Sequence, residues 1–158
     1  MSSLDARAEA VVAANRYLTL STVDTAGVPW ATPVYFTPDG HRHFYWASNP
    51  ETRHSLNIAA NPTVAIVIFD STAAIGDGQA VYATANVEIV PDDELADRAR
   101  FYSGRYPELR EFTPDELRAP ADLRLYRATV TEAWVLVNFR DPENTTGIDE
   151  RHAVWLGD

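Results

Sequence analysis

Phe44-Tyr-Trp-Ala-Ser48 leads into Thr52-Arg53-His54, a strand-like run ending in small and hydroxyl residues followed by a helix start bearing hydroxyl, guanidinium and imidazole. Free N–H groups at a helix start, the helix dipole and a guanidinium together suit a phosphate. On spacing alone an ordinary exposed helix arginine accounts for Arg53 at least as well, so both readings stand. Gln79 is a second anomaly, because it occupies the phase of its strand's apolar face, where an amide needs a partner. A strand end open to solvent is the alternative. The aromatics nearby, Trp30, Tyr35, Trp46 and Tyr82, read as core or interface rings before they read as stacking platforms.

Other chemistries find less support. No serine stands in a G-x-S-x-G setting. His41 and His43, two apart on a strand, could share a metal, but they border a Pro-Asp-Gly turn and lack a partner motif, so no metal is assigned. Asp92-Asp93-Glu94 and Asp115-Glu116 fall in helix first turns, where acids match the dipole. The absence of cysteine excludes disulfides, thiolate metal sites and cysteine nucleophiles. A net charge of 13 − 23 = −10 repels phosphate backbones and anionic lipid, so neither nucleic acid nor membrane is expected as a partner. With no apolar run near ~18 residues and no signal-like N-terminus, a cytoplasmic protein is expected.

The elements that must position these groups follow from periodicity. Ser2 and Asp5 stand in capping-box spacing before Leu4, Ala8, Val11 and Val12, which predicts a short helix. Residues 17–24, 28–37 and 41–48 read as three strands joined by turns at 24–27 and 38–40. Pro29 and Pro33 cannot donate to a ladder, so the second strand has an unpaired side, a bulge or a ligand beside it. Residues 49–61 read as a helix with Pro50 in its first turn. Residues 63–70 are apolar on both faces and read as a central, doubly covered strand. After a loop at 71–78, residues 79–90 form a long strand and 92–103 a helix. A second short helix begins at Thr113, and 123–139 is a strand broken near Thr131. Residues 140–158 form a polar tail with no element assigned. At 158 residues the chain fits one domain, a mainly β (α+β) antiparallel six-stranded split barrel with short flanking helices. Such a small barrel fills its own interior, so a ligand belongs at an end, outside, or between subunits.

The run from Tyr17 to Val90 resembles the flavin-binding split-barrel proteins related to pyridoxamine 5′-phosphate oxidase. The likeness rests on YLTLSTVDTAG, ATPVYF, FYWASNPETRHSLNIAANPTVAIVIF and GQAVYATANVEIV, and LYRATVTEAWVL is similar to the family's last barrel strands. The resemblance implies a homodimer with flavin mononucleotide (FMN) in clefts between subunits. It would set Thr32, Val34 and Tyr35 along the isoalloxazine, partly through backbone contacts. Trp46, Ala47 and Ser48 would line the ring and ribityl chain, and Thr52, Arg53 and His54 would hold the phosphate. Gln79 would come from the subunit partner.

Two departures shape the expected function. Arg53-His54 stands where many relatives have Arg-Lys, which makes phosphate binding sensitive to pH, with affinity falling above the His54 pKa. In ERHAVWLGD, Arg151 and His152 precede Trp155 and no arginine follows, unlike the true oxidases, so pyridoxamine phosphate is not the expected substrate. The expectation is an FMN-dependent oxidoreductase acting on a small molecule. The alternatives are a reductase using the deazaflavin coenzyme, a non-catalytic flavin- or haem-binding module, and a dimeric barrel with no cofactor. A flavin needs few protein bases, so no catalytic residue is named.

Overall fold

In the computed structural model, which describes residues 3–40 and 42–154, helix α1 (Ser3–Ala14) leads into strands β1 (Tyr17–Val23), β2 (Pro29–Tyr35), β3 (Thr37–Asp39) and β4 (His43–Ser48). Helix α2 (Arg53–Ala60), strands β5 (Thr63–Phe69) and β6 (Ala80–Ile89) and helix α3 (Asp92–Ser103) follow. A 3-10 turn (Pro114–Leu117) and strands β7 (Arg124–Val137) and β8 (Glu150–Ala153) complete the described chain. Ser2, His41 and Trp155, which the sequence reading singled out, lie outside the described residues.

Local chemistry explains the turns. Asp24 Oδ1 accepts the N–H groups of Ala26 (2.9 Å) and Val28 (2.8 Å), and Gly27 takes φ 83°, a conformation few side chains tolerate. The Glu116 carboxylate accepts both the N–H and the hydroxyl of Thr113 (2.9 and 3.1 Å), starting the short helix expected there. Asn49 Oδ1 accepts the Glu51 N–H at 2.8 Å, an Asx turn that competes with helix. As a result α2 begins at Arg53, and Pro50 belongs to the turn before it rather than to the first helical turn.

Antiparallel pairing runs in the order β2-β1-β5-β6-β7-β4-β3, with β8 added beside β7. The two ends of that path, β2 and β3, are consecutive in the chain with only Phe36 between them, so the sheet curls round and joins itself at a bend. The expected strand 28–37 is thus shared: its first part pairs with β1 and its continuation with β4. Six long strands are those expected, and the short β3 and β8 bring the count to eight. β8 lies in the tail that the sequence left without an element, where it pairs with Trp134–Val137.

The expected break near Thr131 is a β-bulge. The register with β6 passes from Thr84↔Glu132 to Ala85↔Val130, leaving Thr131 as the extra residue, and its hydroxyl lies 2.8 Å from that of Thr84. The bend lets one strand serve β4 with one half and β8 with the other.

Side chains fill the interior, among them Leu18, Leu20, Phe36, Phe44, Trp46 and Ile68, all essentially inaccessible to solvent. A second cluster, including Tyr45, Leu95, Tyr102 and Leu117, packs α3 and the 3-10 turn against the outside of β4 and β7. β5 is central, between β1 and β6, but one chain covers only its Val64, Ile66 and Ile68 face. Ala65 and Phe69 on the other face are exposed and Val67 is half-buried, which corrects the doubly covered reading. Among the described residues no helix is long and apolar enough to cross a membrane.

Arg105 ties the bend to the helices. Its guanidinium donates to the carbonyls of Asn15 (2.8 Å), Val12 and Ala13 (3.3 Å each) at the end of α1, and to that of Phe36 at the bend. Hydrogen bonds from a charged donor are worth ~1.5–3 kcal/mol each, less than additively within one group. Replacing Arg105 by Met should therefore lower unfolding free energy by about 2–4 kcal/mol, with Lys recovering only part because an ammonium lacks the planar fork. Urea denaturation checks this, and an unchanged midpoint for Arg105→Met would refute it.

Candidate functional site

The bend at Phe36 leaves two strand edges unpaired. The Phe36 N–H donates to Arg16 O at 3.2 Å, so by the two-residue period residues 34, 32 and 30 bond to β1. The nitrogens of 29, 31, 33 and 35 then face the free side, and the prolines at 29 and 33 cost no ladder bond. Across the wedge, Trp46, Ala47 and Ser48 pair with β7 on one side only, because β3 reaches no further than Tyr45.

The first turn of α2 spans the wide end of this wedge. On the β4 side, His54 Nε2 lies 2.9 Å from Ser48 Oγ and 3.2 Å from Thr52 Oγ1, and Thr52 Oγ1 lies 2.8 Å from Ser55 Oγ. On the β2 side, the Arg53 guanidinium lies 4.4 Å from the Trp30 ring centroid. The Thr52 side chain makes no cap hydrogen bond and instead donates to Asn49 O at 2.9 Å, which leaves first-turn amides for another acceptor. A buried link, Asn57 Nδ2 to Thr22 Oγ1 at 3.0 Å, fastens the helix to β1.

Charge is unevenly spent. All thirteen basic residues are arginines, in a chain of net charge −10. Many pair with carboxylates, as Arg127 does with Glu88 and Glu94 at 2.6 Å each. Among the described residues Arg53 has no such partner, although it is exposed. Burial pushes the His54 imidazole below its usual value, with no carboxylate to oppose the shift. Near neutral pH the cradle thus holds one full positive charge, on Arg53, plus three hydroxyls and a neutral ring.

The expected site residues fall into three groups. Ser48, Thr52, Arg53 and His54 meet at the first turn of α2. Thr32, Tyr35 and Ala47 border the wedge, half-buried. The Tyr35 ring sits edge-on to Tyr17, Tyr102 and Tyr106, and its buried hydroxyl has no partner. The side chains of Val34 and Trp46 point into the core, where Trp46 stacks on Tyr126 (centroids 5.8 Å apart, planes at 10°). By the same period, the backbone N–H and carbonyl of Val34 bond to β1 and those of Trp46 to β7, so neither residue offers a free polar group to the wedge. Gln79 lies elsewhere in the chain: it precedes β6 beside the Phe69 end of β5, while α2 precedes the Thr63 end. Six residue steps along a strand span about 20 Å. Its Oε1 is buried without a partner.

Ser55, Asn57, Thr22 and Trp30 complete the arrangement without having been assigned to it from sequence. Ser55 and Asn57 follow the Thr-Arg-His run on the same helix, and buried polar residues there were the available signal. Among the described residues no group of three metal-ligating side chains occurs, and His43 contacts Thr129 Oγ1 at 3.2 Å.

The family model described as pyridoxamine 5′-phosphate oxidase matches residues 4–136. No curated protein matches. A haem-binding protein from Mycobacterium smegmatis aligns with a TM-score of 0.73 and 17% identity over 97% of this chain, which spans 59% of that protein's length. A FAD-binding protein from Mesorhizobium loti aligns at 0.61 and 20% identity, covering 80% of this chain and 87% of its own. An F420 reductase aligns at 0.59 and 25% identity, covering 80% and 94% respectively. These likenesses show a shared fold.

His54 makes a prediction for stability. Its folded pKa lies below the unfolded value of 6.5, so the unfolded chain binds more protons between the two. The corresponding stability is fully present above about pH 6.5 and is lost as pH falls through the folded pKa. The denaturation midpoint of the native chain, measured against His54→Gln, should be level above pH 7 and decline towards pH 5. A constant difference over that range would contradict the burial argument.

Proposed function

The chain belongs to the pyridoxamine 5′-phosphate oxidase family, and on that premise we propose that it is a homodimeric, FMN-dependent oxidoreductase acting on a small molecule. The observation that carries the reading is the cradle at the mouth of the wedge: Ser48, His54, Thr52 and Ser55 linked in that order by hydrogen-bond contacts, beside an arginine with no carboxylate partner among the described residues. Hydroxyls, helix amides and a guanidinium are the donor set a phosphate monoester requires. A flavin phosphate bound there would extend its ring into the wedge, towards the edges at Tyr35 and Ala47. The orphaned Tyr35 hydroxyl and Gln79 amide oxygen fit a ligand rich in ring donors and acceptors.

The flavin supplies hydride or electron transfer when bound. The residues of this chain have simpler tasks. Arg53 and the hydroxyls anchor the phosphate, the strand edges orient the ring, and the tyrosines around Tyr35 exclude water from one side.

Two copies account for what one leaves open. The uncovered face of β5 carries Ala65, Val67 and Phe69, and beside it Tyr82, Thr84, Trp134 and Arg151 line a groove of about 520 Å³ with Ser21. A two-fold axis crossing β5 near its midpoint covers that face with its own copy. The same operation carries the Gln79 end of one chain to the α2 end of the other, so Gln79 would complete its partner's site.

A deazaflavin coenzyme is the second reading, favoured by the F420 reductase with which this chain shares 25% identity. Haem fits less well, because the His54 imidazole nitrogen is already within hydrogen-bond range of two hydroxyls.

Purified protein titrated with FMN should develop a perturbed flavin spectrum. Arg53→Ala should weaken binding about 10- to 100-fold and Gln79→Ala about 5- to 10-fold, the worth of a charged and a neutral hydrogen bond. Val67→Arg should give monomers by sedimentation and abolish flavin binding. No spectral response to excess FMN sinks the flavin reading, and binding of the deazaflavin coenzyme instead would establish the second.

A further inference from the structure

We propose that Trp30 is a positioning residue that presets Arg53 for a phosphate, and so makes this chain prefer FMN to riboflavin. The inference rests on the flavin reading above and concerns a side chain that reading does not use.

Arg53 and Asn57 are one helical turn apart and so share a face of α2. Both address Trp30. The Arg53 guanidinium lies 4.4 Å from its ring centroid. Asn57 donates to Thr22 Oγ1 at 3.0 Å, and that hydroxyl points to the Trp30 carbonyl at 3.5 Å, a marginal contact. Thr22 is 1% and Asn57 5% exposed, so this link is shielded from water and fixes the separation of helix and strand. The Trp30 ring, 39% exposed, is then presented to the arginine as a platform at a set height.

The consequence is entropic and electrostatic. A free arginine gives up about 2 kcal/mol of rotamer freedom when a ligand orders it. Stacking on an indole removes much of that freedom before the ligand arrives and keeps the guanidinium hydrogens, which lie in its plane, available at the edge. Acidic side chains are abundant in this chain, yet none neutralises Arg53 among the described residues. The ring holds it on the β2 side of the wedge, opposite the Ser48, Thr52 and His54 cluster on the β4 side, so that a phosphate would lie between them. Riboflavin, lacking the phosphate, gains nothing from either side.

The test is a double-mutant cycle read with two ligands, FMN and riboflavin, by fluorescence titration of the full-length protein. Trp30→Leu keeps apolar volume without a π face, and Trp30→Phe keeps a smaller face. Trp30→Leu should weaken FMN about 3- to 30-fold, the range for a cation–π contact, and leave riboflavin within twofold. Trp30→Phe should fall between Leu and the native residue. In an Arg53→Ala background, Trp30→Leu should cost nothing further, because its effect passes through the arginine. Equal weakening of FMN and riboflavin, or effects that add across the cycle, would show that Trp30 serves the ring or the fold and would overturn the proposal. Equal affinity of the native protein for the two ligands would also overturn it while sparing the flavin reading. Binding of neither would remove both.

Discussion

One strand of this barrel has to serve two neighbours, and the junction at Phe36 is where it changes from one to the other. The junction is costly to bury, since a bend in a ladder strands backbone carbonyls. Arg105 resolves that cost by giving its guanidinium to Phe36 O and to three carbonyls at the end of α1. Its guanidinium carbon also lies 4.6 and 5.0 Å from the centroids of the Phe36 and Tyr106 rings. Everything distinctive downstream depends on the bend. Without it β2 and β4 would zip together and the barrel would close, leaving neither a free edge at Tyr35 nor one at Ala47. One guanidinium thus serves the Phe36 carbonyl at the bend and ties it to the end of α1.

On the proposed function, charge would give the opened wedge its selectivity. The chain carries ten surplus negative charges, yet Arg53 has no carboxylate partner among the described residues. Arg98 is held by Asp39 at 2.9 Å, whereas Arg53 lies against the Trp30 face with no acid beside it among the described residues. Arg53 is the case that matters because burial keeps its neighbour His54 neutral near pH 7. With a neutral histidine beside it, Arg53 would carry anion recognition alone on the proposed function, which makes the placement of that side chain decisive.

Period-two alternation and turn residues make most strands legible, and of the three readings the two prolines of β2 leave open, the sheet order shows the unpaired side. The cluster at Thr52-Arg53-His54 was legible because hydroxyl, guanidinium and imidazole stand consecutively at a helix start. What could not be read involved competition or distance. Pro50 looks like a first-turn proline until the Asn49 side chain is seen to take the Glu51 N–H. Thr131 looks like a strand break because a bulge and a break share a local pattern, and only the register with β6 separates them. The β8 segment is too short and polar to announce itself, and forms because β7 runs on beyond its partner β4. Trp30 stands out in the sequence only as an aromatic, because its bearing on Arg53 depends on a helix that lies more than twenty positions later.

The sequence of β5 says more than one chain fulfils. TVAIVIF has the composition of a strand covered on both faces, yet the fold of a single chain covers one. Leaving Val67 and Phe69 to water forfeits roughly 25 cal/mol for each Å² of apolar surface, a cost that a second copy removes. On the proposed arrangement the copy that removes it also brings Gln79 to the cradle, so dimer and ligand are coupled through the same face. Linkage then works in both directions: a ligand bound across the interface strengthens the dimer by the factor with which dimerisation strengthens the ligand. On that proposal, a strand that looks over-hydrophobic for its place in the monomer would be part of the binding site, although none of its side chains need touch the ligand.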